Sequence, residues 1–261
     1  MRKQLWRDSK LSGVVVIVAL CLLWELSHRF KLVTSVSWPS FSSVMTTFFD
    51  LIASGELLNQ LLPSLVRLAI GYLIAVVLGV GVGLAMGYFR GVFNALEPLT
   101  EVLRPIPSPA YIPLVMLFLG IDDEMKIFMI AFGAFFPILL NTYSGVRAVD
   151  PVQVNTARTF GLSRRRIVQQ IILPAASPYI VTGMRISVAI ALILVVISEM
   201  VASNNGMGFF ILDTQRSFRI REMYAGIIAL AIVGYALNAA FVALERRVMA
   251  WHIGASARDG A

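Results

Sequence analysis

Residues 150–174 have the sequence DPVQVNTARTFGLSRRRIVQQIILP, a structured segment rich in polar residues. Asp150 followed by Pro151 is a good helix start, because a carboxylate can cap the first turn and proline fits within it. Helical residues continue to Phe160, and Gly161 suits the left-handed position that ends a helix. The sequence therefore predicts a short helix from Pro151 to Phe160.

A second helix is predicted directly after this turn. Ser163 can cap a helix that runs from Arg164 to about Ile172, and Leu173-Pro174 is expected to end it. The two helices form a helix-turn-helix within the polar segment 146–178, which separates two long apolar stretches.

Apolar stretches make up most of the chain. It is 58% hydrophobic and only 14% charged, with a mean hydropathy of +0.79, whereas soluble domains carry about 25% charged residues. Stretches of about 17–25 apolar residues can cross a bilayer as helices. We therefore expect an all-α integral membrane protein, a single domain 1–261 with about six transmembrane helices. The predicted spans lie near 12–30, 61–87, 99–119, 125–145, 179–202 and 223–244.

The third predicted span is irregular. Pro105, Pro107, Pro109 and Pro113 crowd its start, and each proline removes a backbone donor and clashes with the preceding turn. We expect this helix to begin irregularly and to kink.

The distribution of basic residues predicts the orientation. The net charge is +7, for which nucleic-acid binding would be one explanation and cytoplasmic basic loops are a better one. Most lysines and arginines lie inside if the N-terminus is cytoplasmic, although a cluster around Arg219 lies outside. We expect both termini and the segment 146–178 in the cytoplasm. The apolar run Leu11–Leu26 lacks a following cleavage site, which favours a retained first helix over a signal peptide.

Two predicted outer segments are too long for simple turns. Within 39–54, apolar residues recur at helical spacing after Pro39, which predicts an amphipathic helix at the outer surface. That helix either has a function of its own or merely caps the bundle. Within 204–211, glycines beside aromatic residues indicate a tight turn toward the bundle, and a plain surface loop is the alternative.

The second span carries small residues at every fourth position. Such a ridge lets a neighbouring helix approach closely, either for ordinary bundle packing or at a moving interface. The ridge consists of Gly71, Ala75, Gly79, Gly83 and Gly87.

The cytoplasmic segment 146–178 offers a surface for a partner. Ala157 and Gly161 lie four residues apart on one helix face, where a partner backbone could approach. Arg158 and the run Arg164–Arg166 could pair with acidic residues or with anionic lipid headgroups. A lipid-facing loop and a protein-docking loop are equally compatible with these residues. DNA binding is disfavoured, because the segment is short and tethered to the bilayer.

The run Asn155–Gly161, followed by Ile171–Pro174, resembles the EAA loop of ABC importer permeases. That pattern is E-A-A, three residues, G, nine residues, then I-x-L-P. Asn155 and Thr156 replace the usual Glu and the first Ala. A salt bridge from this position to an ATPase is therefore in doubt, whereas the small-residue face and the helix stop remain.

Other segments resemble the nitrate/sulfonate/taurine/bicarbonate branch of these permeases, and within it the aliphatic-sulfonate permeases most closely. Together they cover most of the chain from the second span onward, with a variant stretch at Ser108–Tyr111. The segments are 103–107, 112–114, 118–122, 136–138 with 141–142, and 198–200 followed by 205–208.

The resemblance implies a type I ABC importer permease fold in a bacterial inner (cytoplasmic) membrane. It implies a homodimer of this chain, two ATPase subunits and a periplasmic or lipid-anchored solute-binding protein, with the helix-turn-helix as the coupling element. The solute would be a small anion such as a sulfonate, taurine, nitrate or bicarbonate. The residues expected to dock the ATPase are Asn155, Thr156, Ala157, Arg158, Phe160, Gly161, Ser163 and Arg164.

No catalysis or cofactor is expected in this chain. It has no G-x-x-x-x-G-K-[ST] phosphate loop, so ATP and Mg²⁺ are expected on the partner ATPase. His28 and His252 are far apart and Cys21 lies in an apolar run, so neither a metal site nor a membrane enzyme is expected.

Polar residues within apolar helices are costly and often line a transport path. Glu199 is expected either to belong to a gate or path or to lie at headgroup level. Arg104 either helps an anion leave or marks the cytoplasmic interface. A secondary transporter or channel without an ATPase is the main alternative, disfavoured because the apolar helices carry almost no charged relay. The path candidates are Asn141, Thr142, Ser198, Glu199 and Arg104.

Overall fold

The computed structural model describes residues 2–248, and the side chains of residues 13–247. Every regular element in this part of the chain is a helix, as the sequence predicted. His252 and the side chains of the basic residues before position 11 lie outside the described part.

The helices differ widely in length. Four of those described are long and apolar enough to cross a membrane, or five if a bent pair counts as one span. The first predicted span, 12–30, falls on α1, and the total of six spans stays a prediction. The helices are α1 (Arg2–Arg29), α2 (Phe41–Ala53), α3 (Glu56–Tyr88), α4 (Arg90–Leu103), α5 (Ile112–Leu119), α6 (Asp123–Arg147), α7 (Pro151–Thr159), α8 (Arg164–Ile167), α9 (Leu173–Val201), α10 (Met207–Arg216) and α11 (Ile220–Val248).

One compact unit comprises the residues up to Gln60 together with Phe210–Leu230. Trp24 ties its segments together, because its ring packs against three other aromatic rings at centroid distances between 5.3 and 5.6 Å. Its indole Nε1 also donates a hydrogen bond to the Pro39 carbonyl at 2.9 Å. The three aromatic partners are Trp38, Phe41 and Tyr224.

Helix α2 of the same unit is the predicted amphipathic helix. It begins at Phe41, because the Ser40 side chain caps it by accepting a hydrogen bond from the Ser43 N–H. One face is buried, formed by Val44, Phe48 and Leu51.

The other unit comprises Leu61–Phe209 together with the residues from Ala231 onward. Within it, the small-residue ridge of α3 packs against α6. A Cβ on Gly83 would lie only 2.6 Å from Cβ of Thr142, so no larger residue fits without movement. The partners lie a constant 59 positions later in the sequence, which means that α3 and α6 run parallel. The pairs are Gly71 with Ile130, Gly79 with Ile138, Gly83 with Thr142, and Gly87 with Val146.

The segment between these parallel helices must return along their length. It contains a bent pair, α4 and then Ser108–Leu119, whose axes differ by 90°. The break falls on the predicted proline-rich stretch, and α4 begins nine residues before the predicted span start at 99. Two helices therefore replace one kinked helix, because several closely spaced prolines interrupt the backbone hydrogen bonds.

Helix α9 packs antiparallel to α6. Gly145, near the end of α6, lies against Ala176 and Tyr179 near the start of α9, whereas Gly133 lies against Leu194. We call these two helices the α6–α9 pair.

The prediction that the second loop helix ends before Leu173-Pro174 is wrong. Helix α8 continues through a π-helical turn, Val168–Ile172, into α9, so the helix is continuous from Arg164 to Val201. Pro174 lacks an N–H, and its ring crowds the turn before it. The wider π turn absorbs this conflict, so the helix does not stop.

Candidate coupling and polar sites

The α7–α8 segment (Pro151–Ile167) forms the helix-turn-helix, with caps supplied by its own side chains. Asp150 Oδ1 accepts a hydrogen bond from the backbone N–H two residues later, at 2.8 Å. Gly161 has φ +74°, the left-handed conformation that ends α7. Ser163 Oγ accepts a hydrogen bond at 3.5 Å from the N–H three residues later. Local interactions therefore set the shape of the segment.

Ala157 faces the chain's own core. It is 6% exposed and packs in an apolar cluster with Ile167, Ile172 and Ala176. Gly161 is exposed, with open space where a Cβ would lie. The prediction of a small-residue face that meets a partner is therefore wrong for Ala157, which instead anchors α7 to the start of α9.

Large apolar side chains are exposed on α7 and at the residue that caps its end. Phe160 is 79% exposed and Val152 is 66% exposed. Exposed apolar groups on an otherwise polar segment mark an interaction surface. The other predicted docking residues that are exposed are Asn155, Thr156, Arg158, Ser163 and Arg164.

A polar cluster with a buried centre and an exposed edge lies at the other end of the α6–α9 pair. Glu199 is 0% exposed and Arg67, in α3, is 3% exposed. Arg67 Nη1 lies 2.7 Å from Glu199 Oε1, and Arg67 Nη2 lies 2.7 Å from Asp123 Oδ1. The 25 residues of α6 separate this cluster from α7 by about 37 Å. The Arg67–Glu199 cluster comprises Ser64, Arg67, Asp123, Glu199 and Asn205.

The same cluster holds the loop that follows α9. The Gly208 N–H donates to Glu199 Oε2 at 2.9 Å, and the Met207 N–H donates to Ser64 Oγ at 2.8 Å. Gly206 has φ +103°, and a Cβ there would collide with the Glu199 carboxylate. The residues after α9 therefore form the predicted turn toward the helices and not a plain surface loop.

Glu199 has partners for both carboxylate oxygens. Ser64 Oγ lies 2.8 Å from each of them, in addition to the contacts from Arg67 and the Gly208 N–H. A buried carboxylate is stable only when it is paired in this way, and removal of one partner from such a pair costs roughly 3–5 kcal/mol. Glu199 is thus enclosed by the protein, and both its place at headgroup level and its role in a path stay predictions.

The other helical path candidates bond within their own helices or not at all. Asn141 Nδ2 donates to the carbonyl four residues earlier at 2.8 Å, and Ser198 Oγ donates to the carbonyl three residues earlier at 3.0 Å. Thr142 is 0% exposed, and its Oγ1 has no hydrogen-bond partner among the described residues.

Arg104 lies near the end of α4, with a half-exposed side chain 3.6 Å from Glu101. The five path candidates lie at three separate places: Arg104 after α4, the neighbours Asn141 and Thr142 in α6, and the neighbours Ser198 and Glu199 in α9. Asn141 lies about 27 Å along α6 from Asp123, at 1.5 Å per residue. The structure therefore does not gather these candidates into one site.

Arg67 and Lys126 were not among the site residues predicted from the sequence. Lys126 is 2% exposed, and its Nζ donates to the Ile121 carbonyl at 2.8 Å. The expectation that the apolar helices carry almost no charge is wrong for this end of the described helices. Arg67 is a lone arginine inside an apolar stretch, which indicates that it has a buried acidic partner. Glu199, an acid inside another apolar stretch, is that partner.

The chain is similar to known transport proteins over most of its length. Residues 75–250 match the family described as binding-protein-dependent transport system inner membrane component. The chain is 33% identical over 241 residues to the aliphatic sulfonates transport permease protein SsuC of Bacillus subtilis, an alignment that covers 92% of this chain and 87% of the relative. It is 32% identical over 241 residues to the nitrate import permease protein NrtB of Synechocystis, covering 90% and 88%.

The fold is also found in a solved transporter. A structure titled "Inward facing conformations of the MetNI methionine ABC transporter" matches with a TM-score of 0.62 at 18% sequence identity, covering 74% of this chain and 95% of that chain. This likeness shows the fold, and the family match together with the apolar helices places the protein in the inner membrane as a multi-pass subunit. The chain belongs to the binding-protein-dependent transport system inner membrane component family and is a non-catalytic ABC importer permease of the nitrate/sulfonate/taurine branch.

Proposed function

We propose that two copies of this chain form the translocation path for a small anion, with a sulfonate, taurine, nitrate or bicarbonate as the solute class. The proposal is supported by relatives named as permeases for aliphatic sulfonates, taurine and nitrate. A solute-binding protein delivers the anion, and two ATPase subunits bind ATP and Mg²⁺ and drive transport.

The α7–α8 segment is the proposed ATPase-docking element. The observation that carries this proposal is the pair of exposed apolar side chains, Phe160 and Val152, on a helix capped by its own residues. Aromatic side chains that fill a partner's pocket supply much of the affinity of an interface. Asn155 and Arg158 are exposed on the same helix and supply polar contacts around this apolar centre.

Packing couples this docking element to the membrane helices. Ala157 joins α7 to α9 through Ile167 and Ala176, α9 packs on α6, and the ridge of α3 packs on α6. The Arg67–Glu199 cluster ties the far ends of α3, α6 and α9 together. A displacement of α7 by the ATPase would therefore move these helices as a rigid body between two arrangements.

The proposed topology has six spans, with both termini and the α7–α8 segment in the cytoplasm. The two ends of α6 differ in exposed basic residues, which supports this orientation. Arg164, Arg165 and Arg166 are exposed on the α7–α8 side, whereas the basic residues near the start of α6, Arg67 and Lys126, are buried and paired. Basic residues are retained on the cytoplasmic side of bacterial membranes.

Phe160→Ala tests the docking proposal, with Phe118→Ala as the matched control. Both phenylalanines are 79% exposed, but Phe118 lies at the end of α5. In proteoliposomes that contain the cognate ATPase and binding protein, we expect Phe160→Ala to weaken ATPase binding about tenfold and to lower ATP-driven uptake of an alkanesulfonate. Phe118→Ala should leave ATPase binding unchanged.

Equal ATPase affinity for the two variants would contradict the docking proposal. Solute uptake by the chain in vesicles that contain no ATPase would contradict the ATP-driven mechanism and support a secondary transporter or channel.

A further inference from the structure

An open cleft of about 820 Å³ lies between the α3–α4 junction and the α7–α8 segment. Three arginines line it: Arg90 at the start of α4, and Arg158 and Arg164 from the α7–α8 segment. Its apolar walls include Leu162 and Ile167. We call it the three-arginine cleft. It joins two parts of the chain about 70 residues apart, so Arg90 belongs to it without belonging to the α7–α8 segment.

The positive charge of this cleft is not neutralised by the chain. Within residues 13–247, none of the three arginines has a carboxylate at ion-pair distance, whereas Arg67, Arg104, Arg185 and Arg219 all do. The one acid in the stretch 146–172 is Asp150, and its Oδ1 caps α7. Three guanidinium groups around one concave surface favour an anionic occupant.

We propose that the three-arginine cleft receives acidic side chains of the ATPase, as a second contact beside α7. The inference rests on the proposed docking function and adds to it the chemistry of the partner. The cleft shares Arg158 with α7, two residues from the exposed Phe160, so a protein seated on α7 covers the cleft as well. Asn155 supplies no carboxylate, so on this face the permease carries the positive charge and the ATPase the negative one.

Charge reversal at Arg90 tests this contact. Arg90→Glu and Arg158→Glu should each weaken ATPase binding about tenfold or more in nanodiscs of phosphatidylcholine alone, and the loss should shrink at high salt. Arg246→Glu is the matched control, because Arg246 is exposed near the end of α11, outside the α7–α8 segment, and does not line the cleft. It should change the affinity less than about twofold. The thermal unfolding midpoints should match, because these side chains are exposed.

The same assay separates failure of the cleft from failure of the docking proposal. If Phe160→Ala weakens ATPase binding but Arg90→Glu behaves like Arg246→Glu, α7 docks and the cleft proposal is overturned. If Arg90→Glu weakens ATPase binding and Phe160→Ala does not, the result supports the contact of the cleft with acidic side chains and contradicts docking through Phe160.

Anionic lipid is the other possible occupant. If Arg90→Glu alters ATPase binding only in nanodiscs that contain phosphatidylglycerol, the cleft binds lipid headgroups and the proposal is overturned. Equal loss in neutral and anionic nanodiscs supports an acidic protein surface.

Discussion

The two ends of the α6–α9 pair treat charge differently. Near the start of α6, the buried charged side chains pair with each other. Near the start of α9, the exposed arginines have no acidic partner among the described residues. Arg67 and Glu199 lie 2.7 Å apart with almost no exposure, and Arg158 and Arg164 are exposed and unpaired. A buried charge requires a partner, and an exposed charge does not. The first region is therefore built to hold its own helices together, and the second is built to meet another molecule.

The strongest test of this contrast is Glu199→Gln. The amide leaves the buried Arg67 with less compensating charge, so we expect a loss of about 3–5 kcal/mol in the free energy of unfolding, measured in detergent. The control is Glu101→Gln, which removes the acid of an exposed pair at 3.6 Å and should cost less than about 1 kcal/mol.

Equal losses for these two variants would show that the Arg67–Glu199 cluster does not act as a structural tie. Normal stability and normal solute uptake in Glu199→Gln would also remove Glu199 from the path candidates.

The next largest effect is expected at the small-residue ridge of α3, which packs on α6. Gly83→Ala places a Cβ 2.6 Å from Thr142, so we expect destabilisation of about 1–3 kcal/mol. Gly81→Ala, in the same helix with open space around it, should be neutral or stabilise by about 0.5–1 kcal/mol. Denaturation of both purified variants measures the difference. The same sign for both would argue against close packing of α3 on α6.

The smallest expected effect is at the turn of the docking element. Gly161 has φ +74°, so Gly161→Ala should strain the end of α7 by about 1–2 kcal/mol. Gly161→Asn should recover much of this, because asparagine tolerates the left-handed conformation. The readout is ATP hydrolysis per solute transported, which we expect to rise in Gly161→Ala. An unchanged ratio would mean that the turn need not be rigid for coupling.

Local signals in the sequence located most of the helices and the docking segment. Long apolar runs identified α3, α6, α9 and α11, and the caps Asp150 and Ser163 placed the two helices of the α7–α8 segment. These features depend on neighbours within a few residues, so the sequence alone sufficed.

Long-range features were not predictable in the same way. Glu199, the partner of Arg67, lies 132 positions away. The residues around Arg67 do not indicate which distant acid pairs with it. The spacing of Ala157 and Gly161 predicts that they share a helix face, but it does not tell whether that face meets a partner or the protein's own core. Ala157 packs against Ile167 and Ala176, so it faces the core. Pro174 indicated a helix end, but the π turn accommodates it.

The π turn Val168–Ile172 also fixes the angle between the docking face and the membrane span. A π turn holds one residue more than an α turn, without rotating the helix on its C-terminal side. Loss of a single residue from this turn would leave an ordinary α-helix, with Phe160 still facing the same direction relative to α9. In a helix without such a turn, loss of one residue would rotate the two parts by about 100°, the rotation of one helical residue. The π turn is thus the position at which the helix between the docking segment and α9 can lose a residue without changing the direction in which Phe160 faces.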